Sequence, residues 1–204
     1  MFQLWSSSSL ALPLVAIKPG PLTHLLACWT RARADGRIPM LSSVLNPSLR
    51  PMMPNMALLQ LSADGATARY VVVGAALVRL LGKDPTGRLV DEVYSRAISD
   101  EVNQALGSAA ASGLPAFYQR EFRILGRIFG YNRLMLPVAR DGAGVSHVIL
   151  ALYPIKADLK DAAQWQDVLR QSQLSEKTNS TEWAWDLASR PEDVPANPDD
   201  YWLI

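Results

Sequence analysis

The sequence predicts an α+β fold in which a five-stranded antiparallel sheet carries helices on one face, with flanking N- and C-terminal helices. Two β-rich runs come first, joined by the turn Ala63-Asp64-Gly65. Apolar residues at helical spacing follow, and three more β-rich runs with short turns close the series. At 204 residues, 49% apolar and 19% charged, the chain suits one domain of about 130–150 residues with tails.

The N-terminal third divides into a leader and a helical segment. Residues 1–20 are predicted to be a flexible leader, because the apolar run 10–17 has no preceding basic residue and is too short to span a membrane. Residues 21–55 form the helical segment. Thr23 could cap a first helix ending near Gly36, whose apolar stripe would pack on the outer side of the sheet or on a second copy of the chain. Asn46-Pro47 is typical of a helix start.

Residues 56–155 are the predicted core of the fold. The predicted strands cover 56–61, 69–73, 116–124, 131–139 and 145–153. Between the second and third strands, the sequence predicts a short helix over 74–81, a brief turn or helix over 89–94, and a longer helix from Ser99 to Ala111 that ends at Gly113.

Residues 156–204 are predicted to hold a helix over 158–173 and an acidic, tryptophan-bearing tail. This region has 5 basic and 10 acidic residues, whereas residues 1–155 have 15 basic and 9 acidic. Trp183, Trp185 and Trp202 lie beside acidic residues. They could dock on a basic groove of another protein or cover a face of their own domain.

Composition narrows the class of protein. The basic residues are scattered rather than clustered, which argues against a nucleic-acid partner. No apolar stretch approaches the length of a transmembrane helix. The single cysteine, Cys28, excludes an internal disulfide and favours a reducing compartment, so a cytoplasmic location is expected.

Three motifs resemble an alphaproteobacterial PAS-like family: RYVVVGA (69–75), GKDPTGR (82–88) and YNRLMLPVARDG (131–142). Members of that family tend to read RYRLVGT, GRDLTG and YERLLLPLxxDG. The resemblance covers roughly residues 22–155. It implies a stand-alone sensory domain in which a five-stranded antiparallel sheet cups a small pocket against the helices.

The resemblance also bears on ligands and cofactors. Relatives tend to carry arginine where this chain has Val71 and threonine where it has Ala75, so a more apolar pocket is expected. Haem-binding PAS domains place a histidine on the long helix, and 99–111 contains none. Photosensing relatives use a cysteine near 89–96 to form a flavin adduct, whereas Cys28 lies far upstream. No haem or flavin cofactor is therefore predicted.

Other chemistry has little support in the sequence. His24 and His147 lack metal-ligand spacing and are read as surface or satisfied core histidines. No nucleophile elbow is present. Gly74, Gly82 and Gly87 lack the spacing of a phosphate-binding loop and are read as turns and helix ends.

Large side chains with polar tips are the candidates for lining a pocket. The predicted ligand-binding residues are Tyr70, Tyr94, Tyr118, Tyr131, Arg133 and Met135. Tyr131, Arg133 and Met135 share one strand face by the period-two rule. That face could point to the helices, where a buried Arg133 would need a carboxylate or a ligand anion, or outward under the N-terminal helix, with Arg133 paired at the rim.

Three functions fit these features. The first is a sensory or adaptor protein without catalytic output that binds a small molecule or a signalling protein and forms a homodimer through its N-terminal helix. The second is a ligand-free structural module with a filled core. The third is a small enzyme on a cupped sheet, for which the strands offer only Glu121 and His147 as buried acid or base.

Overall fold

The computed structural model describes residues 5–155 except 19, 34–35, 125–126 and 143. The predicted C-terminal helix and tryptophan-bearing tail lie outside the described residues. The strands are β1 Trp5–Leu12, β2 Met56–Leu61, β3 Ala68–Val73, β4 Ala116–Ile124, β5 Arg127–Val138 and β6 His147–Pro154. The helices are α1 Pro21–Ala32, α2 Leu41–Val44, α3 Ala75–Leu81, α4 Val90–Val93 and α5 Arg96–Ser112, with 3₁₀ helices at Leu14–Ala16 and Pro47–Asn55.

The described strands form one antiparallel sheet in the order β1-β4-β5-β6-β2-β3. The predicted α+β class is confirmed, and its five strands are β2 to β6. The sheet has a sixth strand, β1, which is not among the five predicted strands. The fold is thus PAS-like, with an extra edge strand supplied by the N-terminus.

The leader contributes this extra strand. Residues Trp5–Leu12 pair along their whole length with β4, from Trp5 opposite Ile124 to Leu12 opposite Phe117. The prediction of a flexible leader is therefore wrong for this segment. The sequence gives little sign of it, because an edge strand held by backbone hydrogen bonds to one neighbour needs no strong alternation of apolar and polar side chains.

One face of the sheet, here called the outer face, is covered by α1, α2 and the 3₁₀ helix Pro47–Asn55. Leu22, Leu25 and Trp29 of α1 are buried there with strand residues such as Leu134 and Ile149. The sheet is thus the partner of the α1 apolar stripe. A homodimer formed through that stripe loses its basis, because the stripe is already buried within the chain.

The opposite face, here called the inner face, is covered by α3, α4 and α5. Leu77, Val90, Val102 and Leu106 of these helices pack with strand residues such as Leu150. The helix α5 begins at Arg96, three residues before the predicted start, and ends at Gly113, which has the left-handed conformation expected of a helix terminator (φ 61°).

A register shift between β2 and β3 decides which residues of β3 face the helices. Leu58 pairs with Val72 and Leu59 with Tyr70, so Val71 has no opposite residue in the ladder. Val71 is buried with the outer-face cluster, while Tyr70 is buried on the inner face. The shift lets two consecutive valines, Val71 and Val72, pack on one side of the sheet.

Trp29 fastens α1 to the end of β5. Its ring is buried and its indole N–H donates a 2.8 Å hydrogen bond to the carbonyl oxygen of Pro137. Replacing Trp29 by alanine is expected to lower the free energy of unfolding by about 3–5 kcal/mol, because it removes the largest side chain of the helix and leaves a cavity. Urea denaturation measures the change. The control is Leu114→Ala at an exposed leucine, for which we expect a change within about 0.5 kcal/mol.

Candidate ligand site on the inner face of the sheet

Strands β4 and β5 place their polar side chains side by side on the inner face. Tyr118 and Arg120 lie two residues apart on β4, and Tyr131 and Arg133 lie two apart on β5. In the ladder, Tyr118 is opposite Arg133 and Arg120 is opposite Tyr131. Two arginines and two tyrosines therefore alternate over a small area in the middle of the sheet.

Helix α5 brings a carboxylate to this area. Glu101 Oε2 lies 3.1 Å from Arg120 Nη1, and Glu101 Oε1 lies 3.2 Å from Arg133 Nη2. Each arginine side chain is 3% exposed, whereas that of Glu101 is 31% exposed. Glu101 lies three residues after Ile98 and four before Ala105, both buried, so helical spacing directs it to the sheet.

This arrangement decides how Arg133 is oriented. Its strand face points to the helices, and it meets the carboxylate that a buried arginine requires. The guanidinium also lies over the ring of Tyr118, 4.8 Å from the ring centroid. Arg133 Nε is buried and donates to no partner among the described residues, so the hydrogen-bonding capacity of this guanidinium is not fully used.

A tyrosine pair borders the arginines. The hydroxyl oxygens of Tyr70, on β3, and Tyr94, after α4, lie 3.1 Å apart. Burial raises the pKa of Tyr94 to about 12 and the pKa of Tyr70 well above its usual value, while the nearby Arg133 acts in the opposite direction on both. Both hydroxyls are therefore neutral at physiological pH and can donate hydrogen bonds.

The structure brings the predicted site residues to one region. Tyr70 and Met135 are fully buried on the inner face, and Tyr94, Tyr118 and Tyr131 are partly buried beside them. Arg120 and Glu101 belong to the same group and were missed. Arg120 follows Tyr118 by the same two-residue step that joins Tyr131 to Arg133, so the period-two rule could have found it.

The expectation of a more apolar pocket rested on Val71 and Ala75, and neither residue lies at the candidate site. Val71 is on the outer face, and Ala75 is exposed at the start of α3. Neither residue lies on the inner face among the buried side chains. The buried positive charge of this face comes instead from Arg120 and Arg133.

The two acid–base candidates of the strands lie elsewhere. Glu121 follows Arg120 directly on β4 and so points to the other side of the sheet. His147 precedes Val148, an inner-face residue, and is likewise on the other side. Its ring Nδ1 lies 2.9 Å from Ser146 Oγ, as expected of a satisfied buried histidine.

Burial lowers the pKa of His147 to about 4, and Arg140 acts in the same direction. In the unfolded chain this histidine gains a proton near pH 6.5, whereas in the folded chain it stays neutral until the pH approaches 4. Protonation therefore favours the unfolded chain, and the free energy of unfolding decreases as the pH falls from 6.5 towards 4. Between pH 7 and pH 5, we expect the free energy of unfolding of the wild type to decrease by about 1–2 kcal/mol more than that of His147→Gln.

Urea unfolding at the two pH values measures this difference. The control is His24→Gln, at an exposed histidine whose Nε2 lies 2.9 Å from Ser48 Oγ. If the wild type and His147→Gln lost the same amount of stability, His147 would not be the buried neutral group.

Comparison with solved structures finds PAS and light-sensing folds. The PAS domain of BvgS from Bordetella pertussis matches with a TM-score of 0.43 and 18% identity, over 62% of this chain and 99% of that one. An RNA-binding light-oxygen-voltage receptor matches at 0.40 and 16%, over 84% of this chain and 43% of that one. A light-oxygen-voltage domain studied with a flavin analogue matches at 0.37 and 12%, over 64% and 93%.

No protein-family model matches the sequence, and no curated protein is significantly similar to it. The PAS-like description of the fold rests on the strand order and the helix-covered face of this chain itself. Among the described residues, no helix is long and apolar enough to cross a membrane.

Proposed function

We propose that this protein is a sensory or regulatory PAS-like module that binds a small molecule on the inner face and signals through altered contacts with another protein. The observation that carries the proposal is the buried group of Arg120, Arg133 and Glu101 beneath α5. Placing two guanidiniums in the interior costs free energy that a packed apolar core would avoid. A few convergent polar groups among apolar side chains are typical of sites that recognise a ligand.

The position of the group also suits a sensor. It joins the sheet to the longest described helix through a few polar contacts, so a molecule that changes those contacts changes how α5 is held. Arg69 of β3 makes a similar link to the segment before α5. Its guanidinium donates a hydrogen bond to the carbonyl oxygen of Gly87, and its backbone pairs with that of Leu89. Output would then pass to a partner protein.

A ligand-free structural module is the second candidate, and one observation favours it. The described polar groups of the inner face already satisfy one another in large part: Glu101 pairs with both arginines, and Tyr70 contacts Tyr94. A closed polar core of this kind can fix one arrangement of helix and sheet without any ligand.

A small enzyme has no comparable support. Glu121 and His147, its candidate acid and base, point away from the inner face. Glu101 is on that face, but both of its carboxylate oxygens already contact buried guanidiniums. We therefore propose a non-enzymatic, cytoplasmic protein whose partner is a signalling protein, with a homodimer requiring a surface other than the α1 stripe.

Native mass spectrometry of the full chain as purified, compared with the same sample after denaturation, tests the proposal. A retained mass of a few hundred daltons per chain that is lost on denaturation would support the sensor. A chain without such a mass, and with no stabilisation by any member of a metabolite library, would favour the structural module. The Arg133→Gln variant serves as the control, since it should lose the retained mass.

A further inference from the structure

We infer that the ligand of this site is a small organic carboxylate with an apolar body, and that it takes the place of the Glu101 carboxylate on Arg120 and Arg133. This inference rests on the proposed function. Four features of the inner face support it, namely the charge balance, the exposure of the three charged side chains, the surrounding tyrosines and the attachment of α5.

The charge balance favours an anion. Two buried guanidiniums contact the carboxylate of Glu101, which carries a single negative charge. Arg133 in addition has a buried Nε without a hydrogen-bond partner among the described residues. A planar guanidinium binds a carboxylate or phosphate through two parallel hydrogen bonds, which a single contact from Nη2 to Glu101 does not provide.

Exposure shows which member of the group can leave. The arginines rise from the middle of the sheet and are almost fully buried, whereas Glu101 is about one third exposed on a helix. Glu101 can therefore turn towards water at a moderate cost, while the arginines cannot. A ligand carboxylate arriving from that side would meet the same two guanidiniums.

The surrounding side chains describe the rest of the ligand. The side chains packed on this face are aromatic, as in Tyr70, Tyr94 and Tyr118, or aliphatic, as in Met135 and Leu152. The neutral hydroxyls of Tyr70 and Tyr94 could satisfy one further polar atom. An aromatic or branched carboxylic acid suits this environment better than a highly charged ion, because the apolar surroundings would have to desolvate every additional charge.

Displacement of Glu101 provides the signal. Helix α5 would lose both ion pairs to the sheet and keep its apolar contacts and the hydrogen bond from Asn103 to Asp91 of α4, so its first turns would open more readily. Binding of the ligand would thus change how far α5 is exposed to a partner protein.

The test uses the full chain with benzoate as probe, benzyl alcohol as its neutral counterpart, and inorganic phosphate as an anion without an apolar body. Binding is measured by titration calorimetry at constant ionic strength and pH 7.5. The variants are Glu101→Gln, which removes the competing charge, and Asp100→Asn, which removes the charge of the exposed neighbour on the same helix. Arg133→Gln removes the binding group.

We expect benzoate to bind at least tenfold more tightly to Glu101→Gln than to the wild type, with Asp100→Asn unchanged and Arg133→Gln without binding. Benzoate should also accelerate hydrogen exchange in 96–112 of the wild type. If a variant does not fold, two measurements on the wild type test the inference. They are its preference for benzoate over benzyl alcohol and the effect of benzoate on hydrogen exchange in α5.

If benzyl alcohol bound as tightly as benzoate, the arginines would not be the binding groups. If phosphate bound more tightly than benzoate, the ligand would not need an apolar body. No binding of benzoate to either the wild type or Glu101→Gln would refute the inference altogether. In that case, a retained mass in native mass spectrometry would leave the sensor function standing with another class of ligand. The absence of both results would remove the sensor function as well.

Discussion

Replacing Gly74 by alanine is expected to prevent stable folding. Gly74 lies between β3 and α3 with an ordinary backbone conformation (φ −66°, ψ 147°), so the requirement for glycine is one of space. A Cβ at this position would lie 2.0 Å from the carbonyl oxygen of Met53 and 2.6 Å from the carbonyl carbon of Pro54. These are backbone atoms, which cannot turn aside as a flexible side chain can.

The expected loss in the free energy of unfolding exceeds about 4 kcal/mol, because the 3₁₀ helix Pro47–Asn55 and the start of α3 would have to move apart. Soluble yield and urea denaturation measure it. The same movement would disturb the 2.8 Å hydrogen bond from the Gly74 N–H to the Met56 carbonyl oxygen.

Gly107→Ala is the matched control for this substitution. Gly107 lies inside α5, and a Cβ there would be 3.5 Å from the Gly65 carbonyl oxygen, an ordinary contact. Alanine favours the helix over glycine, so we expect this variant to gain about 0.5–1 kcal/mol. If Gly74→Ala unfolded at the same urea concentration as the wild type, the close approach at Gly74 would be wrong.

The strands of the core could be predicted because each is a β-rich run bounded by turn residues. The bounds predicted for β2 and β4 agree with the structure, and those of β3, β5 and β6 differ by a few residues. Asn46 caps the 3₁₀ helix as its sequence indicated, since its side chain accepts a 3.0 Å hydrogen bond from Ser48 N. Such signals are local, and a single sequence carries them.

Features that depend on distant partners could not be predicted. The strand β1 exists through its pairing with β4, more than 100 residues away, and its serine-rich sequence shows no pattern of its own. The register shift that turns Val71 to the outer face depends on how β2 and β3 align. For this reason the sequence could not show that Val71 lies away from the inner face.

The candidate site divides in the same way. Tyr118, Tyr131, Arg133 and Met135 follow from the two-residue period of the strands. Glu101 does not, because its contact with Arg133 joins a helix to a strand 32 residues further along the chain. The sequence indicated only that a buried Arg133 would need a carboxylate or an anion, and the fold supplies the carboxylate.

Replacing Glu101 by glutamine is expected to lower the free energy of unfolding by about 2–4 kcal/mol. The substitution preserves the shape of the side chain and removes the negative charge that both buried guanidiniums contact. The loss should stay below that of a fully buried ion pair, because Glu101 is 31% exposed and water can reach the group. Urea denaturation at pH 7.5 measures the change.

Asp100→Asn is the control, because Asp100 is an exposed neighbour whose ion pair with Arg96 spans 3.9 Å at the helix surface. Exposed pairs of this kind contribute little, so we expect a change within about 0.5 kcal/mol. An equal effect of both substitutions would mean that Glu101 acts only through the general charge of α5.

The triple variant Glu101→Leu, Arg120→Met, Arg133→Met separates stability from binding. Replacing a whole buried ionic group by apolar side chains of similar volume is often neutral or stabilising, so we expect the triple variant to regain most of the stability that Glu101→Gln loses. It should no longer bind benzoate. If it were instead as unstable as Glu101→Gln, the arginines would be needed to hold the sheet and α5 together, and the structural module would be the better account of this buried charge.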